Sequence, residues 1–370
     1  MPTSRPKILF CLHLPPPVHG AAVVGKQIYD SQLIRDTFDS SFVNYSTSGS
    51  LGEIGRFSLK KIISVLKFIQ SVCTRIRNEK PQLVYITPSL SGWAFYRDWL
   101  VVRIIKRNHC AVVTHFHNKP PQSFTRKWYN RWLYNSFFRG LHTIFLSERL
   151  AIPFKEYIAP QLLHICPNGM PDNASITPRA TTHSPYTFLF LSNMMEEKGV
   201  IVLLQACALL KQCGCDFRCN FIGQWSDITE QGFKSICTEL DITSNVQAFG
   251  GVYGPEKAKY FTQADAFIHP SFNDCFPLVL LEAMQYALPM ISTPEGGILD
   301  IVDNQVGFLV EQRNPQALAD KMRYLIEHPQ VGQQMGKQAR LKYEHEFTLP
   351  IFAQRLVDVL LDVNNTTKHQ

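Results

Sequence analysis

Residues 269–302 read HPSFNDCFPLVLLEAMQYALPMISTPEGGILDIV. A β-rich run at 266–269 leads into a polar turn, and a helix is expected from near Pro277, since proline suits a first helical position. A second strand-like run at 289–292 follows and ends ahead of Gly296-Gly297. Strand, loop, helix and strand in so short a span are the repeating unit of a parallel sheet with crossover helices. Asp274 and Glu282 stand eight residues apart in this unit. At ~1.5 Å rise per residue, Glu282 falls about a turn and a half inside the helix, on the same side as Asp274. Between Leu281 and Ala283-Met284, Glu282 is badly placed as a solvated carboxylate. Ionised carboxylates accept strongly from vicinal hydroxyls, and the paired glycines offer backbone amides to phosphate or sugar oxygens.

Working outward, strand signals recur at 186–191, 218–222 and 245–249 after a turn-rich stretch, ITPRATTHSP, at 176–185. Before that stretch they recur at 8–14, 83–86, 111–115 and 143–146, again alternating with helical periodicity. Two doubly wound domains of α/β class follow, 1–175 and 186–350, with 176–185 as linker. A C-terminal helix at about 351–364 is expected to pack back on the first domain. Ligands of such sheets bind beyond the carboxyl ends of the strands.

Three further segments end a strand with chemistry. Residues 12–25, LHLPPPVHGAAVVG, put Gly20 at a helix opening, where free amides can meet a phosphate, although glycine is also common in plain turns. Residues 112–118, VVTHFHN, place His115 and His117 on one side of a strand end, where imidazole can donate to a hydroxyl or stabilise developing charge. Residues 190–210 set Lys198-Gly199 beside a helix start, so that ammonium, amides and macrodipole together suit a diphosphate.

Taken in order, these segments resemble glycosyltransferase family 4, whose acid-x7-Glu signature is matched by Asp274 and Glu282. Pro167-Asn168-Gly169, the Glu197-Lys198-Gly199 turn and Gly250-Gly251 match as well, so the likeness covers nearly the whole chain. The resemblance implies the GT-B architecture, two Rossmann-like domains facing across a cleft, and a retaining hexosyltransferase-type enzyme (EC 2.4). It implies a nucleotide-diphosphate sugar of UDP or GDP type as substrate, no cofactor and no metal. Carried over by motif, Lys198 holds the diphosphate, Glu282 the ribose hydroxyls and Asp274 the transferred sugar; His117 is the cleft histidine. These four are the catalytic candidates. Gly20, Gly296 and Gly297 line the phosphate and sugar pocket, Gly250, Gly251 and Val252 meet the base, and Phe276-Pro277-Leu278 belong to the same donor segment. Two positions depart from the family: Asp274 replaces the usual Glu, and Asn193 stands where an Arg often helps neutralise the diphosphate.

Charge bears on the acceptor. Residues 1–180 carry 23 Lys and Arg against 9 Asp and Glu, whereas the remainder carries 14 against 21. A basic first half suits a polyanion, and no nucleic-acid motif accompanies it. Residues 57–80 place Leu59, Ile62, Ile63, Leu66, Ile69, Val72 and Ile76 at helical spacing among lysines and arginines, and residues 124–140 mix aromatics with arginine. These suit an anionic bilayer surface. The expected acceptor is a saccharide, polyprenyl-diphosphate-linked, extended into surface polysaccharide or lipopolysaccharide. The alternatives are an epimerase or phosphorylase on the same fold, or a non-enzymatic polyanion-binding protein.

The ten cysteines sit mostly within apolar runs, and Cys213, Cys215 and Cys219 lack a second pair at zinc spacing. No Asp-x-Asp occurs. The short apolar run at 8–14 is followed by prolines and does not read as a signal peptide. The expected location is cytoplasmic, peripheral on the cytoplasmic face of the membrane.

Overall fold

The computed structural model describes residues 5–16, 19–45, 59–108, 110–172 and 184–367; residues 176–183 of the expected 176–185 linker lie outside them. By contacts the chain divides into two compact units, Met1–Asn168 with Leu349–Gln370, and Gly169–Thr348.

The sheet of the first unit contains β1 (Lys7–Leu12), β2 (Asp39–Asn44), β3 (Leu83–Ile86), β4 (Ala111–Phe116), β5 (His142–Phe145) and β6 (Leu163–Ile165). They run parallel in the order β2-β1-β3-β4-β5-β6. The sheet of the second unit contains β7 (Tyr186–Leu191), β8 (Phe217–Ile222), β9 (Val246–Ala248), β10 (Ala266–His269), β11 (Met290–Ser292) and β12 (Gly307–Leu309). Their order is β12-β11-β10-β7-β8-β9, also parallel.

Both sheets are covered on two faces, which explains why their central strands are continuous apolar runs. Every residue of β3, β7 and β10 is buried. Around β7, Phe188, Phe190, Leu203, Leu204, Phe221, Ile268, Ile291 and Met322 form one core cluster. Edge strands pack less: β2 and β6 contain no fully buried residue and β12 contains one.

In each sheet the winding direction reverses once. The first turns between β1 and β3, the second between β7 and β10. A crevice opens at such a reversal because the two adjoining crossovers leave to opposite sides. The final helix, Leu349–Thr367, packs on the helix Gln32–Thr37 and on β4.

The helix Leu59–Glu79 bears out the helical spacing but buries only part of its apolar face. Its buried stripe is Phe68, Val72 and Ile76, at spacing i, i+4, i+8, whereas Ile63 and Leu66 are 53% and 60% exposed. The apolar pattern is wider than the face the domain covers. No helix among the described residues is long and apolar enough to cross a membrane.

Candidate functional site

In the second unit the chain leaves β7 at Leu191, turns through a short 3-10 segment at Glu196–Lys198 and enters the helix Val200–Gln212. Gly199 joins them with φ 80°, and a Cβ there would lie 2.2 Å from the Pro270 carbonyl oxygen. Only glycine permits both. The close approach locks the turn onto the loop after β10. Backbone N–H of Phe272 donates to Glu197 O at 3.0 Å, and Asn273 Nδ2 donates to Glu197 Oε2 at 2.7 Å.

This docking brings together Lys198 and Asp274, 76 residues apart in the chain. Lys198 Nζ lies 3.0 Å from Asp274 Oδ1 and donates to Asn273 O at 2.8 Å. An ammonium has three donors, so one proton of Lys198 remains for a ligand. On its other oxygen, Asp274 Oδ2 meets His269 Nε2 at 2.9 Å, and His269 is buried. Burial alone would raise the Asp274 carboxyl. The hydrogen bond and charge of His269, with the Lys198 ammonium, outweigh burial and hold it well below the usual carboxylate range.

Gly296 and Gly297 close the same patch. Gly296 has φ 51°, with a would-be Cβ 2.4 Å from Asp274 O, and Gly297 N donates to Cys275 O at 2.6 Å. The Phe276 ring is buried, edge-on to Phe347 and beneath Gly297, so it braces the turn. Pro277 is the N-cap of the helix Leu278–Gln285, and Leu278 is half-buried at its start. Asn193 is exposed and brings no charge to the patch.

Glu282, the fifth residue of that helix, is partnered by a residue the sequence reading did not single out. Lys257 Nζ lies 2.6 Å from Glu282 Oε1, while Oε2 is buried without a hydrogen-bond partner. Lys257 ends the 3-10 turn Gly254–Lys257, which follows Gly250, Gly251 and Val252. Gly250 O accepts from Gly223 N at 2.9 Å, and Gly251 lies beneath the Tyr253 ring, which a Cβ would approach to 3.2 Å. Lys198, Asp274, Gly296 and Gly297 therefore share one contact patch. Glu282 instead contacts Lys257, at the end of the segment that begins with Gly250.

In the first unit, β1 ends beside the helix Gly20–Asp30, which His19 caps by accepting from Ala22 N at 3.4 Å. A Cβ at Gly20 would meet nothing within 4 Å. Gly25 is the glycine the packing requires, since a Cβ there would lie 2.0 Å from His13 O. His115 and His117 lie against each other with ring centroids 4.2 Å apart and planes tilted by 40°, and His115 Nδ1 bonds Tyr85 Oη at 2.7 Å. By geometry neither ring nitrogen of His117 closes a hydrogen bond, although the Asn168 side chain lies near enough to act on the ring. Burial, then the neighbouring His19, pushes His117 down to about 4 against the opposing Asn168 amide. Burial with His19 and Arg97 takes His13 down to about 3. This end of the first sheet thus holds neutral imidazoles near neutral pH. Among the described residues, no group of three or more His, Cys, Asp and Glu is placed to hold a metal ion.

Comparison with known proteins starts from the unit that carries Lys198 and Asp274. Residues 175–342 match the family model of glycosyl transferases group 1. The match takes in β7 through β12 and the whole patch just described. Among curated proteins, the chain is 29% identical over 197 residues to the amylovoran biosynthesis glycosyltransferase AmsK of Erwinia amylovora, covering 51% of this chain and 48% of that one. The chain thus matches about half the length of such curated relatives. Among solved structures, a glycosyltransferase from Rickettsia africae superposes with a TM-score of 0.75 at 18% identity, over 98% of this chain and 99% of that one. Anabaena HepE, solved in complex with UDP, gives 0.72 at 18% identity over 96% and 99%. At those identities the likeness concerns architecture. The fold is GT-B, two Rossmann-like α/β domains.

Proposed function

We propose that the chain is a retaining glycosyltransferase of the family 4 kind (EC 2.4), moving a sugar from a UDP- or GDP-type donor to a hydroxyl of a saccharide acceptor. The observation that carries this reading is the Lys198–Asp274 pair, set beside Gly296-Gly297 where the second sheet reverses its winding. The group 1 match over the same residues supports it, as does the UDP held by the Anabaena neighbour.

In this reading the free proton of Lys198 and the amides at the start of the helix Val200–Gln212 meet the diphosphate. Glu282 Oε2 accepts from ribose, and Asp274 accepts from the transferred sugar. The acceptor hydroxyl attacks the anomeric carbon on the leaving group's own face. As the bond to the diphosphate oxygen breaks, that oxygen takes the hydroxyl proton, and the anomeric configuration is kept. Preorganised charge supplies the stabilisation, with no resident metal or cofactor required. His117, buried and neutral, serves as a hydroxyl partner.

The proposed acceptor is a polyprenyl-diphosphate-linked saccharide used in surface polysaccharide or lipopolysaccharide synthesis, met at the cytoplasmic face of the membrane. Trp93, Trp128 and Trp132 of the first unit are 72%, 80% and 62% exposed, alongside Ile63 and Leu66. Tryptophan favours the membrane–water interface, and Lys127 adds positive charge beside Trp128 and Tyr129, while Arg131 is paired with Glu156. A donor panel of UDP- and GDP-sugars with saccharide acceptors, read by mass spectrometry and anomeric NMR, tests the proposal. A new α- or β-linked product matching the donor's own anomer supports it. Epimerised or merely hydrolysed donor, or an inverted product, counts against it.

A further inference from the structure

Glu282 lies inside an apolar helix, and one of its two carboxylate oxygens is tied at 2.6 Å to an ammonium 25 residues away. The other oxygen is buried and makes no hydrogen bond. Buried carboxylate oxygens are rarely left so, because each forgoes solvation it would have in water. The two oxygens are therefore unequal: one is anchored and the other is left unsatisfied. The anchor comes from the segment 250–257, whose Gly250 (φ 70°) and Gly254 (φ 61°) place the short turn that ends at Lys257. Lys257 is mostly covered, at 23% side-chain exposure against 16% for Glu282, so the pair is only partly screened.

We propose that Lys257 is a positioning residue that aims Glu282 Oε2 at the ribose hydroxyls and so sets the enzyme's preference for ribonucleotide over deoxyribonucleotide donors. The inference rests on the donor reading given above and adds to it a residue and a selectivity. Without the ammonium, Glu282 loses the one charged contact that anchors Oε1, and the hydroxyl contact loses its fixed direction. Lys257 itself need not touch the ligand. Its position on the base-side segment also means that the ribose contact and the base contact share one piece of backbone.

The test is isothermal titration of native chain, Lys257→Met, Lys257→Gln and Lys257→Arg with UDP, GDP and their 2′-deoxy counterparts. In the native chain, loss of a hydroxyl bonded to a charged group is expected to weaken binding about 10-fold or more. In Lys257→Met and Lys257→Gln the ribose-to-deoxyribose ratio falls to within about threefold of unity, and donor KM rises about 10-fold with kcat changed less than about threefold. Lys257→Arg restores the ratio. In a Glu282→Gln background, Lys257→Met adds no further loss. A merely structural lysine would lower affinity for both nucleotide classes alike and leave their ratio native, and that result overturns the proposal. Native chain that binds neither UDP nor GDP overturns the donor reading itself. Native chain that binds both but ignores the 2′-hydroxyl overturns only the Glu282–Lys257 assignment. Should Lys257→Met fail to fold, Lys257→Gln and Lys257→Arg decide the matter.

Discussion

Replacing Lys198 with methionine removes one charge while keeping most of the apolar stem. In the native structure the ammonium holds Asp274 at 3.0 Å and the Asn273 carbonyl at 2.8 Å, with one donor left for the diphosphate. A hydrogen bond from a charged donor contributes about 1.5–3 kcal/mol. At about 1.4 kcal/mol per decade, loss of the phosphate contact should weaken nucleoside diphosphate binding about 10- to 150-fold. The nucleoside alone, which never reaches the ammonium, should bind within about twofold of native. Stability also falls. Breaking a fully buried pair costs about 3–5 kcal/mol, but here 17% and 16% of the two side chains stay exposed, which lowers the cost to about 1–3 kcal/mol. His269 still bonds the second oxygen of Asp274, so the loop keeps one of its two anchors. Titration calorimetry with nucleoside, monophosphate and diphosphate of the preferred base separates the two effects. A diphosphate affinity within twofold of native would refute the assignment of Lys198.

Four other outcomes are expected. Glu282→Ala should raise donor KM and lower turnover, checked by steady-state kinetics at saturating acceptor. Activity should survive EDTA; abolition by EDTA and rescue by magnesium, measured in the transfer assay, would contradict the metal-free proposal. His13 and His117 are held near 3 and near 4 by burial, below the ordinary 6.5, so folding keeps them neutral. Their contribution is complete above about pH 6.5 and is lost as pH falls toward those values, at roughly 1.4 kcal/mol per pH unit for each group. Urea unfolding between pH 7.5 and 5 should show this loss, and His117→Asn should flatten it. Flotation with anionic liposomes should carry the chain at low salt, and Trp128→Ser with Trp132→Ser should reduce it by at least about tenfold, as two buried interfacial aromatics imply.

Central strands were legible in the sequence because burial on both faces makes them continuous apolar runs: YTFLFL at β7, LVYI at β3 and AFIH at β10. The strands that escaped the reading, DSSFVN at β2, LHI at β6 and GFL at β12, all lie at sheet edges. One ladder and partial cover are enough there, so composition says little. The same logic explains Ile63 and Leu66: apolar spacing reveals a helix but cannot say how much of its face the domain covers.

At the site, Lys198 and Asp274 could be picked out because each follows a strand in a turn ahead of a helix, and Glu282 because a carboxylate stands inside an apolar helix. Lys257 could not, since its meaning lies in a partner 25 residues on, and GPEKAKYF reads as an ordinary amphipathic turn. His269 was in plain view but looked like the end of β10. Only the curl of the loop through Phe272 and Asn273 sets its ring against Asp274. Gly25 was likewise overshadowed by Gly20, although it is the one pressed onto the His13 carbonyl.

The most direct test is a crystal structure of the chain with its preferred nucleotide-diphosphate sugar. Diphosphate oxygens within hydrogen-bond reach of Lys198 Nζ, ribose hydroxyls on Glu282 Oε2 and sugar hydroxyls on Asp274 are the predicted result. A nucleotide seated elsewhere, with the Lys198–Asp274 pair untouched and Glu282 Oε2 still unpaired, would contradict it.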